Sequence, residues 1–350
     1  MRRLGVSAAL VAGQWIKGDV AIETGVVTAI GLSPPVGSAV AVSGFVDHQI
    51  NGFAGVDFGH TDEAGYARVA SRLPETGVTA FHPTLYSLSR ERYIDSLGLL
   101  AEVHRKRPAG ARVLGAHLEG PFLSPPWVGA HDATTFLEPD PEVVTSLISA
   151  GPIDVMTVAP ELPGALGLIR QLVANGVTVS IGHTDASAEQ CREAFDAGAS
   201  MITHCYNAHR RFTSRDPGPM GAALTDARAS IGLIADGIHV ADDSLRLAAS
   251  AAPDRLVLVT DAIAAAGVAP EEWNTLDSRV RVAGGAARLS DGTLAGSVAT
   301  MDACVRKMIS LGVPSEAVLH AAGGNRLRPG AAVDLVFLDD GWRVQEALIV

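Results

Sequence analysis

Three scarcities narrow what this 350-residue chain can do before any motif is read. It has only three cysteines, Cys191, Cys205 and Cys304. The number is odd and no CxxC spacing occurs, which leaves no disulfide framework and no structural zinc knuckle and points to a reducing compartment. It is short of positive charge, with 27 Lys and Arg against 38 Asp and Glu and a formal net charge of −11. Nucleic acid and anionic membranes reward net positive charge, so neither is expected as a partner, and an anionic substrate would need a local basic cluster. It also lacks an apolar run of membrane-spanning length. The N-terminal stretch "MRRLGVSAALVAGQWIKGDV" is interrupted by Gln14, Trp15 and Lys17. A cytoplasmic protein is expected, and neither a short-period repeat nor a low-complexity tract is visible.

What is present suits a large globular protein: 47% hydrophobic and 19% charged residues are too apolar and too weakly charged for disorder. Residues 1–43 hold short β-rich pieces with Gly turns and no helical period, the pattern of a small sheet. Apolar, β-branched runs then recur: "SGFVDHQIN", "GVTAFHPTL", "ARVLGAHLEG", "IDVMTVAPE", "GVTVSIGHT", "ASMITHCYNA", "SIGLIADGIH" and "RLVLVTDAI". Helical segments such as "GALGLIRQLVANG" and "SAEQCREAFDAGA" lie between them, each closed by the glycine expected after a helix C-terminus. Eight strands alternating with helices predict an α/β fold, a (β/α)8 TIM-like barrel rather than an open doubly wound sheet. The barrel is expected over 44–274, with a hairpin and closing helix over 275–310. Residues 1–43 and 311–350 would form a small β-sandwich from both chain ends.

A barrel of this kind builds its active site at the C-terminal ends of its strands. The polar residues there are His48, Gln49, Asn51, His82, His117, Glu119, Glu161, His183, His204, Asp236, His239 and Asp261. Taken singly, such a histidine is more often a hydrogen-bonded structural residue than a ligand; their joint occurrence is the signal. Glu119, His183 and His204 supply one carboxylate and two imidazoles, a set that suits zinc or a similar divalent ion and leaves a position open. Such an ion acidifies water to near neutrality, which provides a nucleophile without serine or cysteine. Asp261 is placed to take a proton and return it to a leaving group, although "TDAIAAAG" equally permits a helix N-cap. "HRRFTSR" gathers Arg210, Arg211 and Arg215, side chains shaped to hold phosphate oxygens, unless the loop is merely solvated. Cys205, beside His204, should face away from the metal and pack as an apolar residue.

In order along residues 40–305, "GFVDHQINGFAGVDF", "HLEGPFLS", "IGHTDAS", "THCYNA", "RDPG", "IADGIHV", "LVTDAIAAAG" and "GTLAGS" resemble the motifs of the N-acetylglucosamine-6-phosphate deacetylase branch of the amidohydrolase superfamily. The resemblance implies that Glu119, His183 and His204 hold one divalent metal ion per subunit, zinc, and that Asp261 is the general base and acid. Gln49 and Asn51 stand where many amidohydrolases have His-x-His, which in this branch accompanies a single-metal site. His131 matches the residue that contacts the acetyl oxygen, a charge-matched donor for a developing oxyanion. Asn207, Ala208, Arg215 and His239 match positions that grip the sugar phosphate, and Leu294, Ala295 and Gly296 of "GTLAGS" match the substrate-binding turn. Arg215 and His239 would serve a site shared across a homodimer. The implied reaction hydrolyses the acetamide of a small-molecule amino-sugar phosphate. A deacetylase of another N-acyl sugar and a non-catalytic sugar-phosphate binder are the competing readings.

Three departures from the family pattern stand out. "PPWVGAH" lacks the usual basic residue before His131, and His209 replaces the Met common after "NA", where it could add a donor to the sugar pocket. The segment around 322–329 is roughly ten residues short, a change that surface loops tolerate at little entropic cost.

Overall fold

The computed structural model describes residues 1–35, 37–269, 273, 280–323, 327–330 and 332–350. Eight parallel strands form the barrel: β1 (Phe45–Ile50), β2 (Val78–Leu85), β3 (Ala116–Glu119), β4 (Ile153–Val158), β5 (Thr178–Ile181), β6 (Met201–Ile202), β7 (Ser230–Ile234) and β8 (Leu256–Val259). Each pairs with its sequence neighbour. The ring closes through a parallel bridge from Ile50 to Ala262 and a bond from the Asp261 amide to the Gln49 carbonyl, 2.8 Å. Buried Asp47 clamps the same seam, accepting from the Thr260 amide at 3.1 Å and its hydroxyl at 2.5 Å.

The strands were visible as apolar runs because a parallel barrel buries both of their faces; all eight residues of β2 are buried. Most helices between them carry one apolar stripe, while Gly218–Thr225 is buried on nearly all sides. In the helix Ala188–Asp196 a capping box fixes the start, with the Ser187 hydroxyl accepting from the Gln190 amide and the Gln190 side chain accepting from the Ser187 amide. Cys191, Ala194 and Phe195 supply the buried face. Gly198, at φ 109°, turns the chain back toward β6, a conformation that a side chain would strain.

The continuous core includes Phe81, Tyr93, Leu97, Leu100, Leu118 and Phe122, all fully buried. Cys205 and the other two thiols are buried and free, and burial pushes the Cys205 thiol up to about 12, as expected of a packed, inert cysteine. Leu100→Ala is expected to destabilise the fold by about 2–5 kcal/mol through lost contacts and a residual cavity, measured as a lower urea midpoint at unchanged slope.

Both chain ends meet in two small sheets. A five-stranded sheet has the order Val344–Leu348, Leu335–Leu338, Val40–Ser43, Ala8–Val11, Gln14–Lys17. It packs against a three-stranded sheet of Arg2–Arg3, Asp19–Glu23 and Val26–Leu32 around Val20, Val27, Leu335 and Phe337. The structure differs from the sequence reading at the 311 boundary. The helix Ser315–Ala322 packs against β8, and its Val318, Leu319, Ala321 and Ala322 join the barrel core. Part of the short segment at 322–329, namely 324–326, lies outside the described residues, as does most of 270–279.

Among the described residues, the antiparallel strands Arg281–Ala283, Ala286–Arg288 and Leu294–Ser297 form a separate meander. A bridge from Ser297 to Ala262 ties it to the rim beside β8. That contact carries "LAG" over the C-terminal face of the barrel.

Candidate active site

A cavity of about 650 Å³ opens at that face. Its walls include Glu119, His131, His183, His204, Asn207, Ala208, His239, Asp261 and Leu294 to Gly296, so eleven of the twelve proposed site residues line one space. The twelfth, Arg215, is exposed on the loop after β6 and lies outside the cavity.

Glu119 ends β3, while His183 and His204 follow β5 and β6 by two residues each. Both histidines and Asp261 hold positive φ, at 46°, 28° and 50°. Left-handed backbone is costly for residues with a Cβ, and three such residues around one cavity mark strain kept for the direction in which the side chains point.

Glu119 Oε1 lies 3.2 Å from His183 Nε2 and 2.9 Å from His204 Nε2, and the two nitrogens are 3.2 Å apart. Tetrahedral ligands at zinc-like bond lengths sit roughly 3.3 Å apart. The three atoms therefore match the ligand spacing of a divalent ion, and all three side chains are buried. The Nδ1–H of His183 donates to the Trp127 carbonyl at 2.8 Å, which leaves Nε2 as the lone pair facing Glu119. Burial opposes ionisation of Glu119, but the adjoining imidazoles of His183 and His204 outweigh it and hold the carboxyl well below its usual range. Burial likewise opposes the charged form of His204, and Glu119 overrides it, raising His204.

Asp261 stands across the same floor. The Asn51 amide donates to its Oδ1 at 2.7 Å, and the Gln49 amide donates both to that oxygen at 3.2 Å and to Glu119 Oε1 at 3.0 Å. A neutral amide thus bridges the two carboxylates where a second cation would otherwise be needed. Burial first, then the Glu119 charge, push Asp261 up to about 6.

His131 comes from the loop after β3. Its Nδ1 accepts from the Ser87 main-chain N–H at 3.1 Å, so Nε2 carries the hydrogen and faces Glu119 Oε2 at 3.8 Å. Burial, reinforced by His183, pushes His131 down to about 3. The N–H it offers is therefore that of a neutral imidazole. His239 is fixed by Asp236, whose Oδ2 takes the Nδ1 hydrogen at 2.6 Å while Oδ1 accepts two main-chain amides.

Several strand-end residues serve the scaffold. His82 Nδ1 binds the Gly115 carbonyl at 2.9 Å. His117 bridges the His48 carbonyl and the Thr157 hydroxyl one layer below the cavity. Glu161 caps the loop after β5 through the Asp185 amide, 2.6 Å. His209 does not reach the sugar side: the cavity is lined by its neighbours Asn207 and Ala208, while its own ring is buried and held far below its usual pKa by that burial. Sequence reasoning missed Trp127, Tyr86, Trp273 and Arg288, which also line the cavity. Trp127 and its "PPWVGAH" context gave the only signal, an aromatic in a polar loop.

No family model matches the chain. The chain is 38% identical over 339 residues to human N-acetylglucosamine-6-phosphate deacetylase, covering 89% of this chain and 83% of that one. It is 37% identical over 320 residues to an N-acetylgalactosamine-6-phosphate deacetylase of Escherichia coli O157:H7, covering 87% and 85%. Among solved structures, a mutant of N-acetyl-D-glucosamine-6-phosphate deacetylase from Mycobacterium smegmatis, in complex with N-acetyl-D-glucosamine-6-phosphate, superposes with a TM-score of 0.91 at 31% identity, over 98% of this chain and 96% of that one. The Thermotoga maritima enzyme of the same name gives 0.90 at 28%, over 99% and 98%.

Proposed function

Since the chain belongs to the N-acetylglucosamine-6-phosphate deacetylase family, we propose that it hydrolyses the acetamide of N-acetylglucosamine 6-phosphate to glucosamine 6-phosphate and acetate. One observation carries this reading: Glu119, His183, His204, Asp261 and His131 converge on a single cavity large enough for a sugar phosphate.

Glu119, His183 and His204 would hold one divalent ion, zinc being the metal that a Glu-His-His set with an open position suits. When bound, such an ion polarises an acyl oxygen and acidifies water. Asp261 takes the proton of the attacking water at Oδ2, since Oδ1 is held by Asn51 and Gln49. His131 donates Nε2–H to the oxygen that becomes negative as the carbonyl turns tetrahedral. Asp261 then returns its proton to the departing nitrogen, the C–N bond breaks, and acetate and the amine leave.

Asn207, Ala208, His239 and the Leu294–Gly296 turn surround the sugar phosphate. Gly296, at φ 70°, lets the turn lie against Asp261: a Cβ there would meet the Asp261 carbonyl at 2.8 Å. Arg215, exposed and outside this cavity, would act on the phosphate held by a second copy, which makes the working form a homodimer. Among the described residues no helix is long and apolar enough to cross a membrane, and the three free thiols fit a cytoplasmic enzyme.

A second reading takes the C4 epimer, N-acetylgalactosamine 6-phosphate, as substrate, favoured by the relative of that name. Acetate release from the two phosphates and from unphosphorylated N-acetylglucosamine separates them. The expected result is a kcat/KM at least about tenfold higher for N-acetylglucosamine 6-phosphate than for its epimer, a difference of about 1.4 kcal/mol in transition-state binding. The reverse ratio transfers the assignment to the galactose series. No acetate from either, with metal bound, sinks both.

A further inference from the structure

The two histidines that face Glu119 are supported unequally. His183 gives its Nδ1 hydrogen to the Trp127 carbonyl. His204 presents Nε2 to the same Glu119 oxygen, yet its Nδ1 is buried and, among the described residues, has no partner beyond its own main chain. A histidine that ligates through Nε2 carries its hydrogen on Nδ1, and a buried N–H calls for an acceptor.

Beside it lies His209, its ring centre 5.9 Å from that of His204 and its plane tilted by 36°. Its residue is 4% exposed, and its ring nitrogens are buried with no closer partner among the described residues than a loose main-chain contact to Thr203. A neutral imidazole offers one hydrogen and one lone pair. With one His209 nitrogen turned to the Thr203 main chain, the other is left as a lone pair beside the Nδ1 of His204. The main chain keeps them adjacent: residue 209 bridges Thr184, next to His183, and the Arg210 amide donates to the Thr184 carbonyl at 2.9 Å.

We propose that His209 is a positioning residue for His204: one nitrogen of its ring accepts the Nδ1 hydrogen of His204, across one shared water or after a small rotation of the ring, and keeps Nε2 of His204 as a lone pair aimed at the ion. The inference rests on the reading of Glu119, His183 and His204 as a metal site.

The test is the Zn2+ affinity of wild type, His209→Met and His209→Gln, measured by competition with a chromophoric chelator, with far-UV circular dichroism on each. Loss of an outer partner typically weakens metal binding by roughly 10–100-fold, the loss expected for His209→Met. His209→Gln, whose amide oxygen accepts, should stay within a few-fold of wild type. Nitrogen-15 spectra of the histidine side chains of wild type should show the His204 Nδ1 hydrogen slow to exchange. A His209→Met variant that folds and keeps wild-type affinity overturns the proposal, as does a rapidly exchanging His204 Nδ1 hydrogen if the variant fails to fold. Wild type that takes up no Zn2+ overturns the metal-site reading itself, and this inference with it.

Discussion

Asp261→Asn is expected to lower kcat by ~10²–10⁴-fold while metal content stays at the wild-type level, because the substitution removes a proton acceptor and no ion ligand. The amide keeps the shape of the carboxylate and can still accept from Asn51 and Gln49. A fall in turnover with unchanged metal content therefore isolates proton transfer. Wild-type turnover in this variant would remove Asp261 from the chemistry.

The same substitution should act oppositely on stability. The folded carboxyl of Asp261 titrates near 6, above its ordinary value of 3.8, because of burial and then of Glu119. A raised acid binds its proton more tightly in the folded state, so its contribution to stability is fully present below pH 3.8 and is lost as pH rises through 6. At pH 7.5 the ion-free protein thus holds an ionised, buried carboxylate at a cost of about 1–3 kcal/mol. Ion-free Asp261→Asn should exceed ion-free wild type in urea resistance by that order at pH 7.5, with the gap shrinking toward pH 4. A divalent ion at the neighbouring trio lowers the Asp261 pKa, so the acid limb of the wild-type rate profile should fall below 6. Activity and ion-free stability then pull in opposite directions at one residue, which is what a strained φ of 50° at the same position also implies.

The barrel was legible because its strands are buried on both faces and read as apolar runs, while the intervening helices carry a different period and glycine stops. That Glu119, His183, His204 and Asp261 lie together was legible because each follows the end of such a run, and the barrel brings those ends to one face. Position at a strand end does not, however, reveal depth. His117 lies on the same strand as Glu119 and two residues earlier, so it faces inward too, but one layer lower, where Thr157 and the His48 carbonyl satisfy it. Arg215 sat in a basic cluster, yet its loop leaves the cavity of its own chain. The tautomer of His131 depends on a main-chain N–H 44 residues away, and the orientation of His183 on the carbonyl of Trp127. Main-chain groups carry no sequence signature, so neither could be read in advance. That residues 315–322 form a helix on the barrel core was not legible for a related reason: an apolar stripe shows that a segment packs, and only the tertiary structure shows against what.

Glu119→Gln is expected to have the largest effect of any single change in the site. Glu119 is the one residue of the trio with a formal negative charge, and its Oε1 is the common neighbour of both imidazole nitrogens. Glutamine preserves the volume and an oxygen acceptor but cancels the charge that attracts a dication in a buried setting. Ion affinity should therefore fall by more than the roughly 10–100-fold that loss of an outer-shell partner costs. At limiting zinc, acetate release should fall with it, by on the order of 10³-fold or more, since both the acidified water and the polarised acyl oxygen depend on the ion. Raising the zinc concentration should recover part of the activity of Glu119→Gln and none of that of Asp261→Asn, which separates a ligand from a proton acceptor within one experiment. Metal analysis and zinc-titrated rates on the two variants give the answer directly, and a Glu119→Gln protein that binds zinc as tightly as wild type would show that the Glu-His-His trio is a hydrogen-bonded cluster and that the ion sits elsewhere.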